Sequence, residues 1–154
     1  MYRTILVPLD GSPRAEAILP HVENLAQRYG ARVLLLNVDA EPPLLLERDE
    51  VVDLQEHLSR CRQHRQKTKR YLQGIAGSWR DKGLNVDMQI EQGPVVASII
   101  ETAHREQADL VAMASHGEGG GERTFYGSIA AGVLNRIDRP LLLIRSRRVK
   151  PANG

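Results

Sequence analysis

Five of the thirteen glycines fall between Gly117 and Gly127, in the run Ser115-His116-Gly117-Glu118-Gly119-Gly120-Gly121-Glu122-Arg123-Thr124-Phe125-Tyr126-Gly127-Ser128. Glycine lets backbone amides close on an anion and permits positive φ. Gly127-Ser128 opens an apolar-periodic segment, and the N–H groups and dipole at a helix start favour phosphate. The chemistry offered is phosphate capture by backbone. Glu118 and Glu122 oppose it, so a flexible surface loop is the competing reading. Two phosphate fingerprints do not fit. Counting from Gly117, the second glycine and the lysine of a Walker loop fall on Glu122 and Arg123; Gly-x-Gly-x-x-Gly fails from Gly117 and Gly119. A second candidate is Asp10, a carboxylate at the end of an apolar run, in Leu9-Asp10-Gly11-Ser12. Its bland alternative is a turn bond to the amides of Gly11 and Ser12. His116 could donate to a phosphate or be solvated.

These residues need a frame. Thr4 to Leu9, Arg32 to Val38, Asp109 to Ala114 and Leu141 to Arg145 are short apolar runs closed by turn residues and read as buried strands. Asn85 to Glu91 alternates polar and apolar and reads as a half-exposed strand at a sheet edge. Between them lie helical periodicities. The first starts at Ser12-Pro13 and stops at Gly30, with Pro20 expected to kink it. A long one covers about 50 to 82, after a loop over 39–49. A third opens at Gly93-Pro94, and a fourth covers about 127 to 137. Strands alternating with amphipathic helices predict an α/β fold, a parallel sheet with helices on both faces. In such sheets ligands bind beyond the carboxyl ends of the strands, where strand order reverses. The Asp10 turn, Val38-Asp39 and the glycine segment all follow strands.

At 154 residues the chain is long enough for one domain with a full core. Apolar residues at 42% and charged residues at 26% exclude a disordered chain. Cys61 is the single cysteine, which excludes an intrachain disulfide. No run approaches a membrane span, and the first residues lack the pattern of a signal peptide, so the expected location is cytoplasmic. The net charge of +2 argues against a dedicated nucleic-acid binder. That charge is unevenly laid out: twelve of the 21 basic residues fall in 60–70 and 136–150.

The chain resembles the universal stress protein family, ATP-binding-motif type, over nearly its whole length. Ile5-Leu6-Val7-Pro8-Leu9-Asp10-Gly11-Ser12 is similar to the family's first strand and turn. Met113-Ala114-Ser115-His116-Gly117, nine residues, then Gly127-Ser128, is similar to its ATP-binding signature Gly-x2-Gly-x9-Gly-Ser/Thr, with Ala114 in place of the first glycine. Ile129-Ala130, Val133-Leu134 and Pro140 to Ile144 resemble its last helix and strand. The resemblance implies an open five-stranded parallel sheet of order 3-2-1-4-5, adenine-nucleotide alpha-hydrolase-like, over residues 1–147, with a polar tail at 148–154. It also implies a homodimer and an adenine nucleotide, ATP, ADP or AMP, possibly with Mg. Asp10 would hold ribose or the nucleotide's metal, Pro8 and Leu9 would line the adenine pocket, and Val38 would bond the base through its backbone. Ala114 and Gly117 would pack against ribose and phosphate, Gly127 and Ser128 would hold phosphate, and Met113, His116 and Ile129 are further candidates for contact with the nucleotide. Glu118 stands where such members often carry Arg or Lys, and Arg123 could compensate. A regulatory or sensory nucleotide binder is expected; a nucleotide-free interaction module or a slow ATP hydrolase are the alternatives.

Three further features carry weaker readings. His57, Cys61 and His64 share one helical face and could ligate a metal, though a thiol beside two surface histidines is the commoner arrangement. The basic run 60–70 could meet nucleic acid or an acidic partner but lacks interleaved aromatics. Leu141 to Ile144 is apolar on both faces at a sheet edge, which demands a cover; a second subunit's same strand would supply one.

Overall fold

The computed structural model describes residues 1–40, 54–115 and 127–146. Five parallel strands, β1 (Thr4–Pro8), β2 (Arg32–Asp39), β3 (Asn85–Gln92), β4 (Leu110–Ala114) and β5 (Leu141–Ile144), form one sheet of order β3-β2-β1-β4-β5. This is the expected order, with β3 at the edge the alternation predicts. Helices α1 (Leu19–Tyr29) and α2 (Leu54–Asp81) cover one face; α3 (Val95–Arg105) and α4 (Ser128–Arg136) cover the other. Strand alternation divides the core. Ile5, Val7, Val33 and Leu35 meet Val22 of α1 and Leu72 and Ala76 of α2. Leu6, Leu34, Leu36 and Val111 meet Ile99, Ala103, Ala130 and Val133 of α3 and α4. Each fully buried Leu, Ile or Val contributes about 1.5–3 kcal/mol, and burial on both faces is why β1 and β2 read as unbroken apolar runs.

The first helical segment is not one kinked helix. A 3-10 turn, Ala15–Ile18, leads into α1, and Pro20 sits in the first two positions of α1. There its missing N–H has no intrahelical acceptor to lose, so proline starts the helix rather than bending it. Gly30 ends α1 at φ 63, with its N–H on the Ala26 carbonyl. The long helix expected from about 50 begins within the described residues at Leu54.

On the other face, α4 lies close on α3. A Cβ built on Gly132 would stand 2.7 Å from Val96 Cγ2, so this contact needs glycine. Arg139, between α4 and β5, ties the same elements together. Its Nη1 donates to the carbonyls of Ala103 and Ala108, both at 2.8 Å, and its Nη2 lies 2.8 Å from His104 Nδ1.

A polar network joins β2, β3 and α3. Arg32 donates to Asp87 at 2.7 Å and to Glu106 at 3.2 Å, and Gln89 donates to Glu106 at 2.9 Å. The Gln89 bond, then Arg32, hold the Glu106 carboxyl below the usual range. A depressed carboxyl stabilises the fold above its unfolded pKa of about 4.3, and that stability drains as pH falls through the folded value. Unfolding free energy is therefore expected to drop from pH 5 downward, with a shallower slope in Glu106→Gln; parallel slopes in urea titrations at each pH would remove Glu106 as the cause.

β5 is the second edge. Leu142 and Ile144 pack toward the α1/α2 core and Leu141 and Leu143 toward the α3/α4 core, and all four stay only partly buried. No described helix is long and apolar enough to cross a membrane.

Candidate functional site

The site is built where β1 and β4 part. Along β1, hydrogen bonds alternate between its two neighbours. Arg3 O accepts from Arg32 on the β2 side, Thr4 O accepts from Asp109 on the β4 side, and Leu9 N donates to Leu36 O on the β2 side. Odd positions thus face β2 and even positions face β4. Pro8 is even, and proline has no N–H to give. The β1–β4 ladder pairs Ile5 with Leu110 and Leu6 with Val111 and goes no further, although β4 runs on to Ala114. The β1–β2 ladder continues to Pro8↔Leu36. The strands thus part at the strand-order reversal, the place where such sheets form a ligand crevice, on the side where Pro8 withholds its bond.

Both rims of the crevice are fixed by hydrogen bonds. Asp10 follows β1, exposed, and its Oδ1 accepts from Ser12 N at 2.9 Å. The turn bond weighed for Asp10 is thus made, and the carboxylate still faces solvent. Gly11 adopts φ 85, a conformation few side chains tolerate. Ser12 Oγ accepts from Ala15 N at 3.2 Å. On the β4 side, Ser115 N donates to Ile144 O at 2.7 Å and Gly127 N donates to Ser115 O at 2.6 Å. The last bond clips together the two ends of the glycine segment. Gly127 is the N-cap of α4, and Ala131 N on Gly127 O closes its first turn. The N–H groups ahead of Ala131 have no acceptor within the helix and aim out of its N-terminus.

The structure sorts the sequence-predicted residues. Leu6 points to the α3/α4 face, so Pro8 does also; Val38 packs on that core and Met113 belongs to it. All three thus lie on the α3/α4 face of the sheet. Leu9 does not join them: its side chain is in the α1/α2 core, on the opposite face. Ala114 is buried at the end of β4, and Ser128 and Ile129 are exposed at the start of α4. His116, Gly117, Glu118 and Arg123 lie outside the described residues.

One positioning residue escaped the sequence reading. Asn37 is buried in β2, and its Nδ2 donates to Leu9 O at 2.9 Å, fixing the backbone just before Asp10. Its signal was a lone amide inside the apolar run Val33 to Val38. The proposed metal-binding face of α2 does not converge. Cys61 Sγ lies 3.6 Å from His57 Nε2, whereas His64 Nε2 is turned to Asp39 Oδ1 at 3.8 Å. Among the described residues no group of three potential ligands is gathered.

The model of the universal stress protein family matches residues 1–145. A universal stress protein of Thermus aquaticus is 29% identical over 145 residues, covering 94% of this chain and all of the relative. The solved structure of protein MJ0577 of Methanocaldococcus jannaschii superposes with a TM-score of 0.81 at 26% identity, covering 96% of this chain and 98% of that one. Two structures below 25% identity share the fold: a universal stress protein in complex with cAMP (TM-score 0.68, 18% identity, 95% and 98% coverage) and one from Archaeoglobus fulgidus in complex with dAMP (0.62, 18%, 94% and 98%).

Proposed function

Because this chain belongs to the universal stress protein family, we propose that it binds an adenine nucleotide in the β1/β4 crevice and acts as a regulator or sensor in a stress response, in the cytoplasm. The observation that carries this reading is the β1–β4 ladder that stops at Leu6↔Val111, two residues short of the strand end at Pro8. Beyond it Pro8, Val38 and Met113 serve as an apolar wall beside a helix N-terminus, a slot for a base next to a place for phosphate. The relatives solved with cAMP and dAMP bind adenine nucleotides in the same fold, which supports the ligand class. In this reading Asp10 meets ribose hydroxyls or a magnesium ion carried by ATP or ADP. Gly127, Ser128 and Ile129 present backbone N–H groups, and Ser128 one hydroxyl, to phosphate.

Mass spectrometry of the extract from denatured, purified protein is expected to show an adenine nucleotide. No co-purified nucleotide, together with no thermal shift on adding AMP, ADP or ATP with magnesium, would sink the assignment. Phosphate release above a no-enzyme blank, lost in Asp10→Asn, would replace binding by slow hydrolysis.

The half-buried edge strand β5 supports a second reading at the level of assembly: two copies pair β5 to β5 through an isologous interface. Leu143→Arg places a charge on that edge. Light scattering is expected to fall from twice the 17.2 kDa chain mass to once; an unchanged dimer would reject the interface.

A further inference from the structure

A second opening lies on the α1/α2 side of the sheet. It is a cleft of about 490 Å³ between the turn from Asp10 to Arg14 and the middle of α2. That is the size of a small-molecule site. From α2 it is lined by His64, Lys67, Thr68 and Tyr71, whose spacing puts them on one helical face. Asn37 lines it from β2.

The lining is donor-rich. Arg14 and Lys67 bring fixed positive charge, His64 an imidazole and Thr68 a hydroxyl. Asp10 is the one carboxylate in the lining. Among the described residues, Lys67 has no carboxylate within 4 Å. Tyr71 donates to Glu16 at 2.9 Å, and burial and then that bond raise its pKa, so its hydroxyl stays neutral. Asn37 spends its amide nitrogen on Leu9 O. What it can turn to a ligand is the carbonyl oxygen, an acceptor.

We propose that this cleft is a second binding site, for a small phosphorylated metabolite of pentose-phosphate size. Its phosphate lies against Lys67 and Thr68, and its hydroxyls meet Asp10 and Asn37. A phosphate dianion and the Asp10 carboxylate face the two fixed cations, Arg14 and Lys67, while His64 is turned to Asp39 at 3.8 Å. Lysine suits a phosphate as a point charge, and sugar hydroxyls need acceptors such as those Asp10 and Asn37 offer. The site shares only the Asp10 turn with the nucleotide crevice, which opens on the α3/α4 side. It also gives part of the basic run 60–70 a ligand, since Lys67 of that run lines the cleft while Arg62, Arg65, Lys69 and Arg70 are exposed outside it.

The test is a titration of the full, 15N-labelled chain with ribose 5-phosphate, read by NMR. Amides of Gly11, Ser12 and Thr68 are expected to shift and saturate with Kd below about 1 mM, and Lys67→Ala to weaken binding about tenfold or more. Lys67→Arg should retain most of the affinity, and inorganic phosphate should move the same amides more weakly. Gly127→Val, which obstructs the nucleotide crevice, should bind the sugar phosphate as the parent does. The proposal is overturned if those amides fail to saturate, or if Lys67→Ala binds undiminished. It is equally overturned if the shifts centre on Ser128 to Ala130, which would place the sugar phosphate in the nucleotide crevice. Loss of AMP binding alone would strike the nucleotide reading and leave this one standing.

Discussion

Arg139→Ala is expected to lower the unfolding free energy by about 3 kcal/mol, since charge-assisted bonds to buried carbonyls contribute about 1.5–3 kcal/mol each. The guanidinium holds the Ala103 carbonyl in the last turn of α3 and the Ala108 carbonyl just before β4, and reaches His104. The bond to Asp138 adds little, because that carboxylate is exposed. Ala103 O also accepts from Ala108 N, so it keeps a partner after the substitution. Ala108 O has no second donor among the described backbone bonds, and losing its partner is the larger cost. Arg139→Lys should recover only part, because an ammonium cannot fork to two carbonyls and a ring at once. Urea denaturation should show the midpoint falling with the slope unchanged. An unmoved midpoint would mean that water takes over both carbonyls without cost.

Gly127→Val is expected to weaken adenine-nucleotide affinity by about a hundredfold or more, roughly 3 kcal/mol of binding free energy. Gly127 has φ −61 and ψ 156, which valine adopts readily, so the backbone is not strained by the change. The change at the helix cap costs about 1 kcal/mol, because glycine is tolerated at that position far better than valine. Stability without nucleotide should thus fall modestly while binding falls steeply. Calorimetric titration with AMP and with ATP-magnesium separates the two effects. Retained affinity would reject the α4 N-terminus as the phosphate position. Gly127→Ser is a useful companion, since it keeps a good cap and still adds a Cβ.

The readability of the fold followed from local physics. β1, β2 and β4 are apolar on both faces because both faces are covered, and β3 alternates in its first residues because it lies at an edge. Periodicity records burial, so it reports strands and helices without knowledge of their neighbours. The Asp10 turn was legible for the same reason: an apolar strand, a carboxylate, glycine and a cap form a short-range pattern. Pro20 was misjudged because proline at the start of a helix and proline inside one look alike until the preceding 3-10 turn is seen.

By itself, the sequence determined an α/β chain of alternating strands and helices and marked the turn after β1 and the start of α4 as candidates for ligand contact. Local composition suffices for that, because turn chemistry and burial periodicity act over a few residues. Only the tertiary structure decided how those segments work together. The β1–β4 ladder stops at Leu6, and Pro8 beyond it has no N–H to give to β4, the strand on its even-numbered side. Pro8 and its neighbour Leu9 part to opposite faces, one beside the crevice and one in the core. Arg139 reaches two carbonyls more than thirty residues away, and Lys67 borders a cleft with residues of β2 and of the turn after β1. Hydrogen bonds and charges act on whatever is near in space, and which strand lies beside which is fixed only when the whole sheet has assembled.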